Sequence, residues 1–353
     1  MKKNLIIFSI LLITNFIFLS CIQNSHSKNK NETKSTGIQG PYLGQKPPGD
    51  IPELFAPCIV ADIYDEHSST AFTPDGKEVF WTRQVRTMIE DKISRFIVTM
   101  HMKQENGTWT KPELASFNKD TWTFFQYISK DGKHIYFRSY RPIDENDNAP
   151  KNRNWVVEKI GKVWGEPYLF EFPLEFKNDY HLQQKASRGN LYLRRKAPNT
   201  GRASALFISK LINGEYQEPE LLGKSINSEY MDYAFYIDPD EEFIIFSSDR
   251  PGGFRRIDLY ISYRQTDDSW SEAINLGEKI NSAGIEGSGW PYMSPDGKYL
   301  FFLTSVKPVN DIDNNNYTYD DLKKSQLSIT NGTNKIHWVS ASFIDELKPQ
   351  HLK

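Results

Sequence analysis

Five short groups of polar and aromatic residues stand at comparable intervals along the chain: Glu66-His67, Asp120-Thr121-Trp122, Asp179-Tyr180-His181, Asp232 and Glu286-Gly287-Ser288. Brought to one place, they offer two imidazoles among several carboxylates, a set that holds a divalent metal or grips a polar ligand. Trp122 and Trp290 add flat apolar faces on which a sugar ring can stack. The competing role for the same residue types is structural, with Asp, Glu and His satisfying strand ends and bound water. Signature-bearing catalytic routes find no anchor, because the sequence has no Gly-x-Ser-x-Gly elbow, no His-Glu-x-x-His pair and no Cys-x-x-Cys. Arg250-Pro251-Gly252-Gly253 lacks the Gly-Lys-Ser/Thr ending of a phosphate loop and reads as part of a repeat. The balance of 43 Lys plus Arg against 45 Asp plus Glu, a formal charge of −2, provides no basic field for nucleic acid.

Residues so far apart in sequence converge only if the elements between them repeat, and they do. Phe72-Thr73-Pro74-Asp75-Gly76-Lys77 recurs as Ile128-Ser129-Lys130-Asp131-Gly132-Lys133, as Ile237-Asp238-Pro239-Asp240-Glu241-Glu242 and as Met293-Ser294-Pro295-Asp296-Gly297-Lys298. A degenerate copy is Ala186-Ser187-Arg188-Gly189. Turn positions 76, 132, 189, 241 and 297 lie 52 to 57 residues apart, and each divides a short strand from a second one rich in aromatic and β-branched residues. A second motif keeps the same beat through Trp109, Trp164, Tyr216 and Trp270, with steps of 55, 52 and 54. With strand-like runs such as Ala205-Leu206-Phe207-Ile208-Ser209 between the two motifs, each repeat holds four strands, the content of a propeller blade.

The repeated Ser-Pro-Asp-Gly-Lys element, with Phe246-Ser247-Ser248-Asp249-Arg250-Pro251-Gly252-Gly253 and Asp258-Leu259-Tyr260 in the fullest copy of the repeat, resembles the PD40 (TolB-like, WD40-like) β-propeller repeat. The resemblance implies an all-β fold over residues 46–350, and the five turns imply five blades. Six stay open if one copy has diverged beyond reading. The fifth repeat has no aromatic strand after Lys335-Ile336-His337-Trp338-Val339, while an orphan strand, Pro52-Glu53-Leu54-Phe55, stands at the other end of the chain. The expectation is a ring closed by that N-terminal strand, which removes the exposed edges of an open sheet. In a propeller the residues that enter the innermost strands converge on one channel mouth, so Glu66, His67, Trp122, His181, Asp232 and Glu286 are the expected ligand-binding residues. The stretch from Val306 to Gln326 reads as a loop inserted in the last blade, with a helical turn near Tyr319-Asp320-Asp321-Leu322.

The first residues carry an address. Met1-Lys2-Lys3 followed by the apolar run Leu5 to Leu19 reads as a signal peptide over 1–20, too short for a stable span. Phe18-Leu19-Ser20-Cys21 resembles a bacterial lipobox, which makes Cys21 the lipidation site and the anchor to a membrane. Residues 21–45, mostly Asn, Lys, Ser and Thr at their start, read as a flexible tether. Ile22, in place of an acidic residue after the cysteine, is similar to Gram-negative lipoproteins of the outer membrane, on its periplasmic face. Cys58 is then expected to be a buried small hydrophobe without an intramolecular partner.

These readings together predict a lipid-anchored, periplasm-facing propeller that binds a protein or polymer ligand and performs no catalysis of its own. The alternative is a carbohydrate-active enzyme, a glycosidase or a metal-dependent polysaccharide lyase, with its site at the channel mouth. The cofactor is open, a divalent metal being the candidate, and a polysaccharide or a protein is the expected partner.

Overall fold

The computed structural model describes residues 35–353 apart from 90–91, 120–121, 148–150, 173–179, 197–203 and 309–316. Its strands form a β-propeller-like arrangement, and α-helix among the described residues is confined to Glu278–Asn281, Tyr319–Gln326 and Phe343–Leu347. The second of these extends the expected helical turn in the Val306 to Gln326 insertion, and a Thr318/Asp321 capping box starts it.

Each main sheet follows the chain order from the channel outward. The second sheet runs Thr123–Ile128, His134–Ser139, Arg153–Ile160 and Tyr168–Leu169, with Val163–Trp164 at its edge. The third runs His181–Lys185, Leu191–Arg195, Ala205–Ser209 and Glu220–Leu221, and the fourth Asp232–Ile237, Phe243–Ser248, Asp258–Tyr263 and Ile274–Asn275. The first is the largest, with Asp65–Glu66 and Ala71–Phe72 innermost, then Glu78–Ile89, Lys92–Glu105 and outer short strands. The last holds Ser288–Met293, Tyr299–Ser305 and Asn334–Ser340, and its outermost strand is Glu53–Leu54 from the other end of the chain, antiparallel with Glu53 opposite Trp338.

Turns of the Pro-Asp-Gly type join the innermost strand to the second strand in each of the main sheets. The same backbone bond closes each of them: Thr73 to Glu78, Ser129 to His134, Ala186 to Asn190, Asp238 to Phe243 and Ser294 to Tyr299. Gly76, Gly132, Gly189 and Gly297 hold the left-handed position of the turn at φ 67 to 92°, where a side chain is disfavoured. The fourth copy places Glu241 there at φ 64°. Its fully buried carboxylate offsets the strain by accepting hydrogen bonds from Asn190 Nδ2 at 2.9 Å and Tyr192 OH at 2.8 Å in the neighbouring sheet.

Apolar clusters lie between successive sheets. Phe80, Phe125 and Phe137 join the first to the second, Tyr127, Tyr136 and Leu193 the second to the third, and Tyr236, Ile245 and Phe302 the fourth to the last. Phe55, Phe72, Trp81, Phe301 and Trp338 join the last sheet back to the first.

Three features depart from the sequence reading. The tether expected over 21–45 ends early, because Ser35–Gln39 pairs with Thr108–Thr110 and Trp109 Nε1 donates to Gly40 O at 2.8 Å. Leu43 is buried beside Tyr42, whose ring packs on Phe72, Tyr299 and Trp338, so these two residues fasten the segment 35–45 to the core while most of it stays at the surface. Cys58 is only partly buried, lies at φ 68° and is disulfide-bonded, where a lone hydrophobe was expected. The other cysteine of the sequence, Cys21, lies outside the described residues. Finally, the second and third strands of the first sheet are 12 and 14 residues long. Beyond the pair Glu66–Arg83 they continue in register to Ile89–Lys92, an arm of roughly 20 Å standing past the mouth.

Candidate functional site

The chain enters each innermost strand at one end of the channel and leaves it at the turns. The sequence-predicted residues gather at the entry end, but they divide into two kinds. Glu66 is 1% exposed, and its Oε1 accepts from Arg83 Nε at 3.1 Å and Nη2 at 2.8 Å. Burial pushes its carboxyl up to about 7 against the pull of Arg83. Asp232, equally buried, accepts from Ser248 Oγ at 2.7 Å and Arg250 Nη2 at 2.8 Å on one oxygen, and from the Ser228 peptide and hydroxyl at 2.6 and 2.7 Å on the other. Both acids, expected to face a ligand, are placed as ties between the start of an innermost strand and the end of its neighbour. Arg250, in the stretch that mimics a phosphate loop, is the partner of such a tie.

The other kind faces the mouth. Trp122 stacks on Phe124 with centroids 5.6 Å apart, and Phe124 meets Trp290 edge to face at 5.1 Å. His67 packs on Phe124 at 5.5 Å and on Trp290 at 6.2 Å, and Tyr140 extends the row beyond Trp122. The result is an aromatic shelf drawn from the first, second and last sheets. Trp290 owes its direction to a bulge between Gly289 and Tyr292 that sets its φ at 53°, a conformation strained for so bulky a residue. The same bulge recurs in the fourth sheet, where Ala234 lies at φ 51°, so the repeat sets the direction and the indole is what differs at this position.

Beside the shelf lies an open recess of about 310 Å³, lined among others by Asp65, His67, Arg95, Arg256, Glu286 and Trp290. Glu286 is exposed there, its peptide donating to Ser305 Oγ at 3.3 Å. Asp65 is engaged by the Asn334 peptide and side-chain amide, both at 3.1 Å. His67 is held neutral near pH 7, its pKa lowered to about 4 by burial and then by Arg95.

His181 does not join His67. Its Nε2 accepts from Arg138 Nη2 at 3.3 Å, and burial with Arg138 and Arg194 lowers its pKa to about 3. An arginine therefore stands near each imidazole, and no three His, Cys, Asp or Glu side chains converge on a common point among the described residues. Among the described residues, those at the mouth do not fit the divalent metal that the sequence suggested. Asp120 and Asp179 lie outside the described residues.

The sequence reading missed Arg138 and Arg194. Counting four residues on from the closing bond of each turn reaches one repeat position, occupied by Thr82, Arg138, Arg194, Ser247 and Leu303. Two adjacent arginines at a position that elsewhere holds small polar or apolar residues were the available signal.

No family model matches the sequence, and no curated protein matches it. Solved structures of similar shape include an α-L-arabinofuranosidase from Lactobacillus brevis, at 14% identity over 81% of this chain and 92% of that one, with a TM-score of 0.39. Sucrose-6-phosphate hydrolase from Lactobacillus gasseri matches at 10% identity over 79% of this chain and 59% of that one, TM-score 0.44. An oligogalacturonate lyase in complex with manganese matches at 11% identity over 78% and 65%, TM-score 0.36. These are distant likenesses of shape, and no activity follows from them for this chain.

Proposed function

We propose that the protein is a lipid-anchored, five-bladed propeller of the PD40-like kind that faces the periplasm from the outer membrane and binds a polysaccharide at its channel mouth, without chemistry of its own. The observation that carries this reading is the aromatic shelf, with Trp290 held in a strained bulge above the channel. Stacked rings of this kind offer a sugar large apolar faces whose directions are already set, so little side-chain freedom is lost on binding. The ties made by Glu66 and Asp232 count against a hydrolase at the same place, because acid catalysis needs a carboxyl within reach of the substrate.

Calorimetric titration with a panel of polysaccharides tests the reading. Trp290→Ala and Trp122→Ala are each expected to weaken binding at least tenfold while thermal melts stay cooperative. Turnover of any polysaccharide that vanishes in Glu286→Gln would instead support the carbohydrate-active enzyme. The anchor is tested separately: Cys21→Ser is expected to move the protein to the soluble fraction. Lipidation takes the Cys21 sulfur as a thioether, which excludes a disulfide at that atom, so the mass of the mature N-terminal peptide decides which bond it makes.

A further inference from the structure

We propose that the axial cavity below the shelf binds a compact oxyanion, the carboxylate or sulfate group of an acidic sugar, between the guanidiniums of Arg138 and Arg194. The inference deepens the polysaccharide reading and rests on it for the rest of the ligand, while the oxyanion site is open to test alone.

The cavity measures about 50 Å³ and takes lining from the innermost strand of the second, third, fourth and last sheets and from Ser68 and Ser69 of the first. On the same measure one water occupies roughly 10–15 Å³, so the space suits about three to five waters, or one carboxylate or sulfate, and excludes a sugar ring. Arg138 and Arg194 both line it. Arg83, Arg153, Arg250 and Arg264 each have a carboxylate within ion-pair distance, whereas no carboxylate among the described residues pairs with Arg138 or Arg194. The acceptors Arg138 finds are neutral, Asn152 Oδ1 at 2.9 Å and His181 Nε2. Burial and the neighbouring Arg194 bring the Arg138 pKa down to about 9, and burial lowers that of Arg194.

Two like charges drawn out of bulk water without a counter-charge are unfavourable, and an anion placed between them supplies what is missing. A guanidinium donates to a carboxylate or sulfate through two parallel N–H groups, which matches a planar fork to an oxyanion. A second observation points the same way. Ser69 is 5% exposed, lines the cavity and leaves its hydroxyl without a hydrogen-bond partner, and Gln126 Oε1, in the lining of the same cavity, is likewise buried and unpartnered. A serine hydroxyl and a rotated Gln126 amide would each donate to an anion.

The approach holds arginines together with two carboxylates, Asp65 and Glu286. Trp290 lines both the cavity and the recess above it, and the recess carries the exposed Arg95 and Arg256. Arg95 stands directly opposite Arg86 on the arm, a like-charge cross-strand pair that is unfavourable without an anion nearby.

The test uses the full-length protein in matched chloride buffer, titrated with sodium sulfate, glucuronate and neutral glucose, beside Arg138→Gln and Arg194→Gln. Sulfate and glucuronate are expected to bind and raise the thermal midpoint of the wild type. Each variant is expected to weaken both at least tenfold, yet to melt no lower than wild type in oxyanion-free buffer, because the change relieves like-charge repulsion. Structural arginines give the opposite pattern, lower midpoints with unchanged oxyanion binding, and that result overturns the proposal, as does a wild type that binds neither anion. Sulfate bound tenfold more tightly than glucuronate with no sulfated or uronic polysaccharide bound overturns the acidic-sugar source in favour of a free inorganic anion. Glucuronate binding without binding of any polysaccharide leaves the oxyanion site standing and removes the polysaccharide reading. Binding of neutral polysaccharide alone does the reverse.

Discussion

The two ends of the channel are built on different principles. At the turn end, Ser129, Asp131, Lys133 and His134 form a closed set of contacts, with Ser129 Oγ on Asp131 at 2.5 Å, the Lys133 peptide on Asp131 at 3.0 Å and the His134 peptide on Ser129 Oγ at 2.9 Å. Thr73-Asp75-Lys77-Glu78 and Ser294-Asp296-Lys298-Tyr299 reproduce it, with their three distances between 2.6 and 3.2 Å. These bonds span no more than five residues, although Asp296 also accepts from Tyr42 OH at 2.9 Å and the Glu78 carboxylate from Trp164 Nε1 at 2.8 Å. At the mouth end, one repeat position reads Thr82, Arg138, Arg194, Ser247 and Leu303, and the ties of Glu66 and Asp232 span 17 and 18 residues. The difference teaches where to look for function in a repeat protein: the positions that repeat hold the fold, and a shared position filled by unlike residues is free to meet a ligand.

The largest expected effect breaks the assumption that mouth acids are ligand groups. Asp232→Ala removes the counter-charge of Arg250 and four hydrogen bonds inside the fold, so a loss of about 3 kcal/mol in unfolding free energy is expected from denaturant titration. Polysaccharide affinity measured well below the melting point should be nearly unchanged. Next, Glu241→Gly restores the usual turn residue at the one turn that departs from the pattern. Strain at φ 64° is relieved, but Tyr192 OH is left buried without its acceptor, and a net loss of about 2 kcal/mol is expected. A more stable variant would show that the turn end is local even there.

Acid distinguishes the ends by pH. His67 and His181 have folded pKa values lowered to about 4 and about 3, below the ordinary 6.5, so the unfolded chain takes up protons first. Their contribution is present above pH 6.5 and is lost as pH falls through that window, with a slope of up to about 1.4 kcal/mol per pH unit per histidine. Glu66 acts in the opposite sense: its folded pKa is raised, so its contribution is present below the ordinary 4.5 and lost as pH rises through about 7. The measurable quantity is therefore the difference in thermal midpoint between wild type and His181→Gln from pH 7 to 4, which should shrink as pH falls. At the turn end, burial opposes ionisation, but Ser129 and the Lys133 peptide hold Asp131 below the usual carboxylate range, so its contribution should be lost only below pH 4. The smallest effect is Asp131→Ala, expected to lower stability by about 1 kcal/mol with ligand binding untouched.

Much of the architecture was legible because its causes are local. A turn of Pro-Asp-Gly type presets its own backbone, and five turns related to it at a regular beat specify strand pairs before any long-range contact is known. The orphan Pro52-Glu53-Leu54-Phe55 could be assigned to the last sheet because one strand was missing there, and Leu54 does stand opposite His337. A further legible signal went unread: Asn118, Asn227 and Asn281, each after an apolar residue and before an innermost strand, accept through Oδ1 from the peptide N–H groups of Thr99, Leu206 and Leu259 at 2.8 Å.

By itself the sequence determined the strand content, the turn chemistry and the set of polar residues delivered to one end of the channel, because each depends on neighbours a few residues away. Only the tertiary structure decided what those residues do. Whether a carboxylate is spent on an arginine, as in Glu66 and Asp232, or an arginine is left facing another, as in Arg138 and Arg194, depends on partners in other strands and other sheets. Such partners are brought within reach by packing, and charge at a few ångströms in a poorly solvated channel outweighs anything that residue type or spacing prescribes.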